Sequence, residues 1–290
     1  MKEKRKSARA LTEGAVMIAL ATVLSILKLV EMPYGGSVTP ASMLPILIVS
    51  YRHGISTGLM TGCVYSLMQQ LLGLNTLSYF TTWQSILAVI LLDYIIAFTV
   101  IGVGGVFKGK FKKANNDTGS IQSVELGVGM LFVCLLRYIC HTVGGATVWA
   151  GLSIPTEAAL IYSLGYNATY MIPETIINVV CAFWIGGTLD FSKKIPLRIS
   201  RVKDEGMGRV LILSKIASFI MLLAVVVDVI LIAPSLQNPD DGTFSWAYIG
   251  DGKLAVLLTV TIIAVILKLS SHILLCIKRK RTKKLMHNEE

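Results

Sequence analysis

Long apolar runs separated by short polar breaks dominate this chain, and their lengths determine which elements it can form. A helix crossing a lipid bilayer needs about 20 mostly apolar residues. Such runs occupy residues 10–30, 54–73, 83–107, 124–150, 161–190, 209–233 and 254–277, with a shorter one, MLPILIVSY, at 43–51. The pattern predicts eight helices, the second of which spans only if its flanks or the surrounding protein help. Residues 10–190 carry many polar and aromatic side chains within their runs. Residues 209–277 are mostly Leu, Ile, Val and Ala, and follow the basic stretch KKIPLRISRVKDEGMGR. The expected architecture is an all-α integral membrane protein: a six-helix unit over 1–192, a basic linker over 193–208, and a two-helix hairpin with a basic tail over 209–290.

Composition agrees with a membrane protein. Hydrophobic residues make up 54% of the chain, charged ones 15%, and mean hydropathy is +0.68; soluble domains carry about 25% charged residues. The net charge of +10 is explained by topology. With the N-terminus inside, the segments 1–9, 108–113, 193–209 and 278–284 together with Arg52 hold 22 of the 27 Lys and Arg residues, and the outer loops hold only Lys253. Basic loops stay on the cytoplasmic side, so a multi-pass cell-membrane protein with both termini cytoplasmic is expected, and nucleic-acid binding is not. The opening MKEKRKSAR is basic like a signal peptide. The run after it is too long for a signal core and lacks a small-residue cleavage site, so it is expected to be retained. All five cysteines fall in apolar runs without a CxxC pair, which implies buried thiols and no disulfide framework.

Ionisable groups inside a span are costly and usually mark a site, unless they snorkel to the interface. Lys28, Lys215 and Lys268 lie within reach of an interface, and Asp228 near the wet end of its run. Arg137 and Asp93 do not: at 1.5 Å per residue they sit roughly 15–20 Å into the bilayer. In RYICHTVGGATVW, Arg137, His141, Gly145 and Trp149 recur every four residues and so share one helix face. Gly144 and Gly145 clear the wall midway. Tyr162 and Asn167 begin the next helix at the depth of Trp149 and His141. Opposite them, TTWQSILAVILLDY brings Trp83 near the surface and Asp93–Tyr94 deep. A carboxylate, an imidazole, an amide and aromatic faces around a glycine-lined gap suit a small, flat, partly cationic molecule. Each residue also has a plainer reading: Asp93 and Arg137 as an ion pair joining two helices, His141 as a hydrogen-bonded interior residue, Trp83 and Trp149 as interfacial belt residues.

These residues resemble the thiamine-specific substrate-capture subunits (S-components) of energy-coupling factor (ECF) vitamin transporters. The resemblance covers residues 10 to about 190. It rests on R-x3-H-x3-G-x3-W, on Y-x4-N thirteen residues after the Trp, on the acidic-Tyr pair in LLDYIIAF, and on LTEGAVMIALATVLS and EMPYGGSVTPASMLPI. It implies a six-helix protein that binds thiamine from outside, performs no chemistry, needs no cofactor, and docks on a shared membrane scaffold with two ATPases. By resemblance Trp149 stacks on the substrate, His141 packs against its rings, and Asp93, Tyr94 and Asn167 hydrogen-bond it; Tyr162 and Gly145 match the pattern too. The chain departs from the pattern with Arg137 in place of Lys, Asp93 in place of Glu, Trp83 in place of Tyr, and Tyr34 in the first outer loop in place of Trp. In the first helix Ala15 and Ala19 form a small-x3-small pair, with Ala10 and Gly14 another. Such pairs permit close helix approach; the family docks its scaffold through such a surface, and internal packing is the plain alternative.

The remaining motifs carry no chemistry. GGVFKGKF approaches a phosphate-binding loop but has Phe111 where Ser or Thr must hold magnesium, and no strand precedes it. The glycosylation sequon at Asn116 is expected inside and that at Asn167 in the membrane. No metal cluster or activated nucleophile is apparent, so catalysis by His141 with Asp93 lacks a nucleophile and the chain is not expected to be an enzyme. Two other transport readings stay open: an S-component for another small heterocycle such as hydroxymethylpyrimidine, and a secondary transporter driven by protons through Asp93 and His141.

Overall fold

The computed structural model describes residues 2–32, 34–111, 118–199, 205–232, 235, 248 and 250–287. Among them eight longer helices form, in order α1 (Lys2–Ile26), α2 (Leu44–His53), α3 (Ile55–Leu72), α4 (the continuous run Trp83–Phe107), α5 (Thr118–Thr147), α6 (Glu157–Gly186), α7 (Glu205–Ile232) and α8 (Asp251–His287), with a short 3-10 helix, Leu74–Tyr79, between α3 and α4. Four runs, Ser7–Ile26, Trp83–Phe107, Ile121–Thr147 and Glu157–Gly186, are long and apolar enough to cross a membrane. The chain packs as two units, Met1–Ile199 and Ser200–Glu290. The sequon at Asn116, linker residues 200–204 and most of the 234–253 loop lie outside the described residues.

In the first unit, α2 shows how a helix of ten residues survives in a membrane protein. Pro45 sits in its first turn, where the missing N–H costs nothing, and every residue from Leu44 to Tyr51 is buried. Protein rather than lipid covers it. Gly54, at φ 95°, turns the chain from α2 into α3 without a loop, a backbone conformation that favours glycine. The C-terminal ends of α2 and α4 and the start of α3 then meet through small residues. Gly58 lies directly on the backbone of Gly102, while Ser50 donates its hydroxyl to the Gly102 carbonyl and accepts the Gly105 N–H at 3.0 Å. Close approach of this kind is how helices pack without a hydrophobic driving force between them.

Two features depart from the sequence expectation. The first apolar run stops at Ile26 rather than residue 30, and the chain forms a small antiparallel hairpin, β1 (Val30–Glu31) with β2 (Ser37–Val38), before α2. Lys28, expected to snorkel from within a span, therefore lies in this connection and pairs with Glu31 at 2.5 Å. A second hairpin, β3 (Leu189–Asp190) with β4 (Leu197–Arg198), follows α6. More consequential is α4, which is not uniformly α-helical: Ile90–Ile96 forms a π-helical turn and Val100–Phe107 a 3-10 run. π-turns inside α-helices are rare and concentrate at functional sites.

In the second unit, α7 and α8 carry two polar links. Thr261 donates its hydroxyl to the Asp228 carboxylate, and the Lys268 ammonium donates to the Ser218 hydroxyl. Asp228 and Lys268 are thus partnered within the hairpin rather than wetted or snorkelled as expected. Each charge meets hydroxyl donors or acceptors.

Candidate functional site

A cavity of about 710 Å3 opens at the end of the first unit where α1, α3 and α5 terminate. The four-residue stripe on α5 forms one wall. Trp149 lies two residues past Thr147, where the N–H groups of Val148 and Trp149 both bond back to the Gly144 carbonyl, at 2.8 and 3.3 Å. This tight turn keeps the indole in line with His141 and Arg137.

Facing the stripe, the π-turn of α4 presents Asp93. One carboxylate oxygen lies 3.0 Å from His141 Nδ1, and the other accepts the Trp149 Nε1–H at 3.2 Å. A carboxylate accepts hydrogen bonds, so Nδ1 carries the ring proton. His141 Nε2 is buried with no hydrogen-bond partner among the described residues. The approach of α4 to α5 depends on Gly144: a Cβ there would stand 2.6 Å from the Asp93 oxygen. Tyr94 turns the other way and donates its hydroxyl to the Gly73 carbonyl at 3.1 Å, joining α4 to the end of α3.

The third wall is α6. Asn167 donates to the His141 carbonyl at 3.2 Å and the Ser163 carbonyl at 2.8 Å, and accepts from the Tyr170 hydroxyl at 2.6 Å. Its amide fastens α6 to α5 behind the imidazole. Tyr166 accepts the Tyr34 N–H at 3.2 Å and donates to the Gly35 carbonyl at 2.8 Å, tying the first hairpin to α6. Aromatic rings gather at the mouth: Tyr34 against Tyr79 with centroids 5.9 Å apart, Tyr79 against Trp149 at 5.9 Å, and Phe80 edge-on to Trp149 at 4.7 Å.

At the cavity floor Arg137 is 5% exposed. Its guanidinium sits 4.3 Å over the Phe98 ring, 3.0 Å from the Met43 sulfur and 3.5 Å from Glu174. The helix-joining ion pair weighed for Arg137 with Asp93 is therefore made with Glu174 instead. Glu174 also accepts the Thr39 hydroxyl at 3.0 Å, which anchors the segment after β2.

Of the ten residues singled out from sequence, the structure brings Tyr34, Asp93, Tyr94, Arg137, His141, Gly145, Trp149, Tyr162 and Asn167 onto this one cavity. Trp83 is not among its lining residues. It opens α4 directly after the capping residue Thr82 and stands 69% exposed. Sequence reasoning missed Tyr166, Tyr170 and Glu174. With Tyr162 they form a second stripe spaced by four residues, and the depth rule applied to Arg137 would have found Glu174 as well. On α1, Gly14 is buried against Thr61 while Ala15 and Ala19 face outward.

Over residues 11–191 the chain matches the family described as "Thiamine transporter protein (Thia_YuaJ)". It is 36% identical over 173 residues to "Thiamine transporter ThiT" of Bacillus subtilis (strain 168), an alignment covering 59% of this chain and 86% of that protein. It is 23% identical over 186 residues to "Thiamine transporter ThiT" of Lacticaseibacillus paracasei, covering 61% and 87% respectively. A solved structure titled "Native-SAD phasing for ThiT from Listeria monocytogenes serovar" aligns at 21% identity with a TM-score of 0.49, over 62% of this chain and 94% of that one. The matched region takes in the greater part of α1, all of α2 through α6 and every residue of the Asp93–His141–Trp149 arrangement, and on that match this chain belongs to the thiamine transporter protein family.

Proposed function

We propose that this chain captures thiamine in the cavity beside Asp93 and delivers it to an ATP-driven importer. Thiamine joins two flat heteroaromatic rings, one a cationic thiazolium. The observation that carries the reading is the Asp93 carboxylate, held by His141 and the Trp149 indole N–H inside an aromatic mouth, in a chain of this family. A carboxylate fixed in a low-dielectric pocket attracts a cation more strongly than one in water, and the indole and phenol rings add stacking and cation–π attraction. The cavity volume falls in the range typical of small-molecule sites. The distribution of Lys and Arg supports a cavity that opens to the outside, with both termini cytoplasmic. The outward Ala15–Ala19 face of α1 supports docking on a shared membrane scaffold that carries two ATPases.

Intrinsic fluorescence of the purified full-length chain tests the substrate. Thiamine should quench tryptophan emission saturably, and Trp149→Phe should remove most of that quench. Emission unchanged by thiamine but saturated by another heterocycle would refute the assignment.

A further inference from the structure

The opposite end of the first unit holds a second concavity, of about 340 Å3, lined by Arg9, Arg52, His53, Lys108, Lys193 and Lys194 with Phe191 and Ser192. These residues come from four segments, each at the end of an apolar run: Arg9 near the start of α1, Arg52 and His53 closing α2, Lys108 directly after α4, and Lys193 and Lys194 in the connection after α6. The ends of apolar runs are where lipid headgroups are met.

The pocket is built rather than merely charged. The Arg52 side chain is 3% exposed, and its guanidinium is locked by the Phe191 and Lys194 carbonyls, each at 3.1 Å, and by Glu13. Glu13 also serves His53 at 2.9 Å and Arg9 at 3.9 Å, so one carboxylate answers three basic side chains. Lys193 has Asp190 at 3.9 Å. Neither Lys108 nor Lys194 makes an ion pair with a described residue; Lys108 donates to the Arg52 carbonyl at 3.4 Å and lies over the face of Tyr51 at 5.3 Å, with the Glu125 carboxylate acting on it from farther off. Burial, and then the neighbouring Arg52, hold the Lys108 ammonium below the usual lysine range, against the opposing pull of the Glu125 carboxylate. Beside the pocket Ile195 and Leu197 project from the second hairpin at 70% and 52% exposure, next to the exposed Lys194. Apolar residues dipping into acyl chains beside a cluster of lysines is the arrangement that recognises an anionic membrane surface.

We propose that this pocket seats the phosphate headgroup of an anionic phospholipid, with Lys108 and Lys194 as its direct partners and Arg52 as the fixed floor. Native mass spectrometry of the full-length chain, exchanged with equimolar phosphatidylglycerol and phosphatidylcholine, tests it. The wild type and a Lys215→Gln control should retain phosphatidylglycerol preferentially. A Lys108→Gln/Lys194→Gln double variant should lose roughly fivefold of that preference per lysine, on the order of twentyfold for the pair. Lys194→Glu, on an exposed loop position, covers the case in which the double variant fails to fold and should lower the preference as well. Equal retention of both lipids by the wild type, or an unchanged preference in the lysine variants, overturns the proposal. Inorganic phosphate that binds the pocket and displaces the lipid at equal concentration overturns the lipid assignment in favour of a free-phosphate site.

Discussion

The bundle of α1–α6 and the hairpin of α7 and α8 both carry ionisable side chains on apolar helices, yet they use them differently. In the hairpin, Asp228 meets the Thr261 hydroxyl and Lys268 the Ser218 hydroxyl. In the bundle, Asp93, His141 and Trp149 converge from different elements on a shared cavity, and the buried far ring nitrogen of His141 makes no hydrogen bond to any described residue. An intramembrane charge is therefore not diagnostic by itself. Convergence of several elements on a shared open space separates a binding group from a helix link.

That contrast breaks most readily at Glu174. Removing one partner of a buried ion pair leaves an uncompensated charge, so Glu174→Ala should destabilise the bundle by about 3–5 kcal/mol, read as a lowered midpoint of thermal unfolding. A loss no greater than that of Asp228→Ala would put the two regions on the same footing. Asp93→Asn keeps shape while removing charge; it should leave the unfolding midpoint near wild type and weaken thiamine binding by roughly 30- to 1000-fold, the cost of truncating a buried charge interaction of about 2–4 kcal/mol. Gly144→Ala should be milder. Its methyl group would press on the Asp93 oxygen at 2.6 Å, and a carboxylate displaced by a few tenths of an ångström should cost on the order of tenfold in affinity. At the bottom of the scale, Lys268→Gln in the hairpin retains a donor for Ser218 and should change stability by less than about 1 kcal/mol with no effect on binding.

The sequence was most legible where helical periodicity and depth coincide. The four-residue spacing of Arg137, His141, Gly145 and Trp149 puts them on one face whatever surrounds them. Tyr162, Tyr166, Tyr170 and Glu174 repeat that spacing on the next helix, and Glu174 rather than Asp93 is the partner of Arg137. The π-turn at Ile90–Ile96 has no local signature, because ILLDYII reads as ordinary apolar helix; only packing against Gly144 and the α5 stripe reveals it. Trp83 illustrates the opposite failure. Its distance along the chain from Asp93 suited the site, but the Thr82 cap sets the start of α4 and leaves its ring exposed. The hairpin of Val30–Glu31 and Ser37–Val38 is too short to show strand alternation.

The central claim is that Asp93, gripped by His141 and Trp149, reads the positive charge of a flat heteroaromatic ligand. The most direct measurement is a calorimetric comparison of thiamine with an isosteric analogue whose thiazolium is replaced by an uncharged ring, on the wild type and on Asp93→Asn. The wild type should prefer the cation by at least about tenfold, or roughly 1.4 kcal/mol, and the variant should bind both alike. An equal preference for the cation in both proteins would contradict the account.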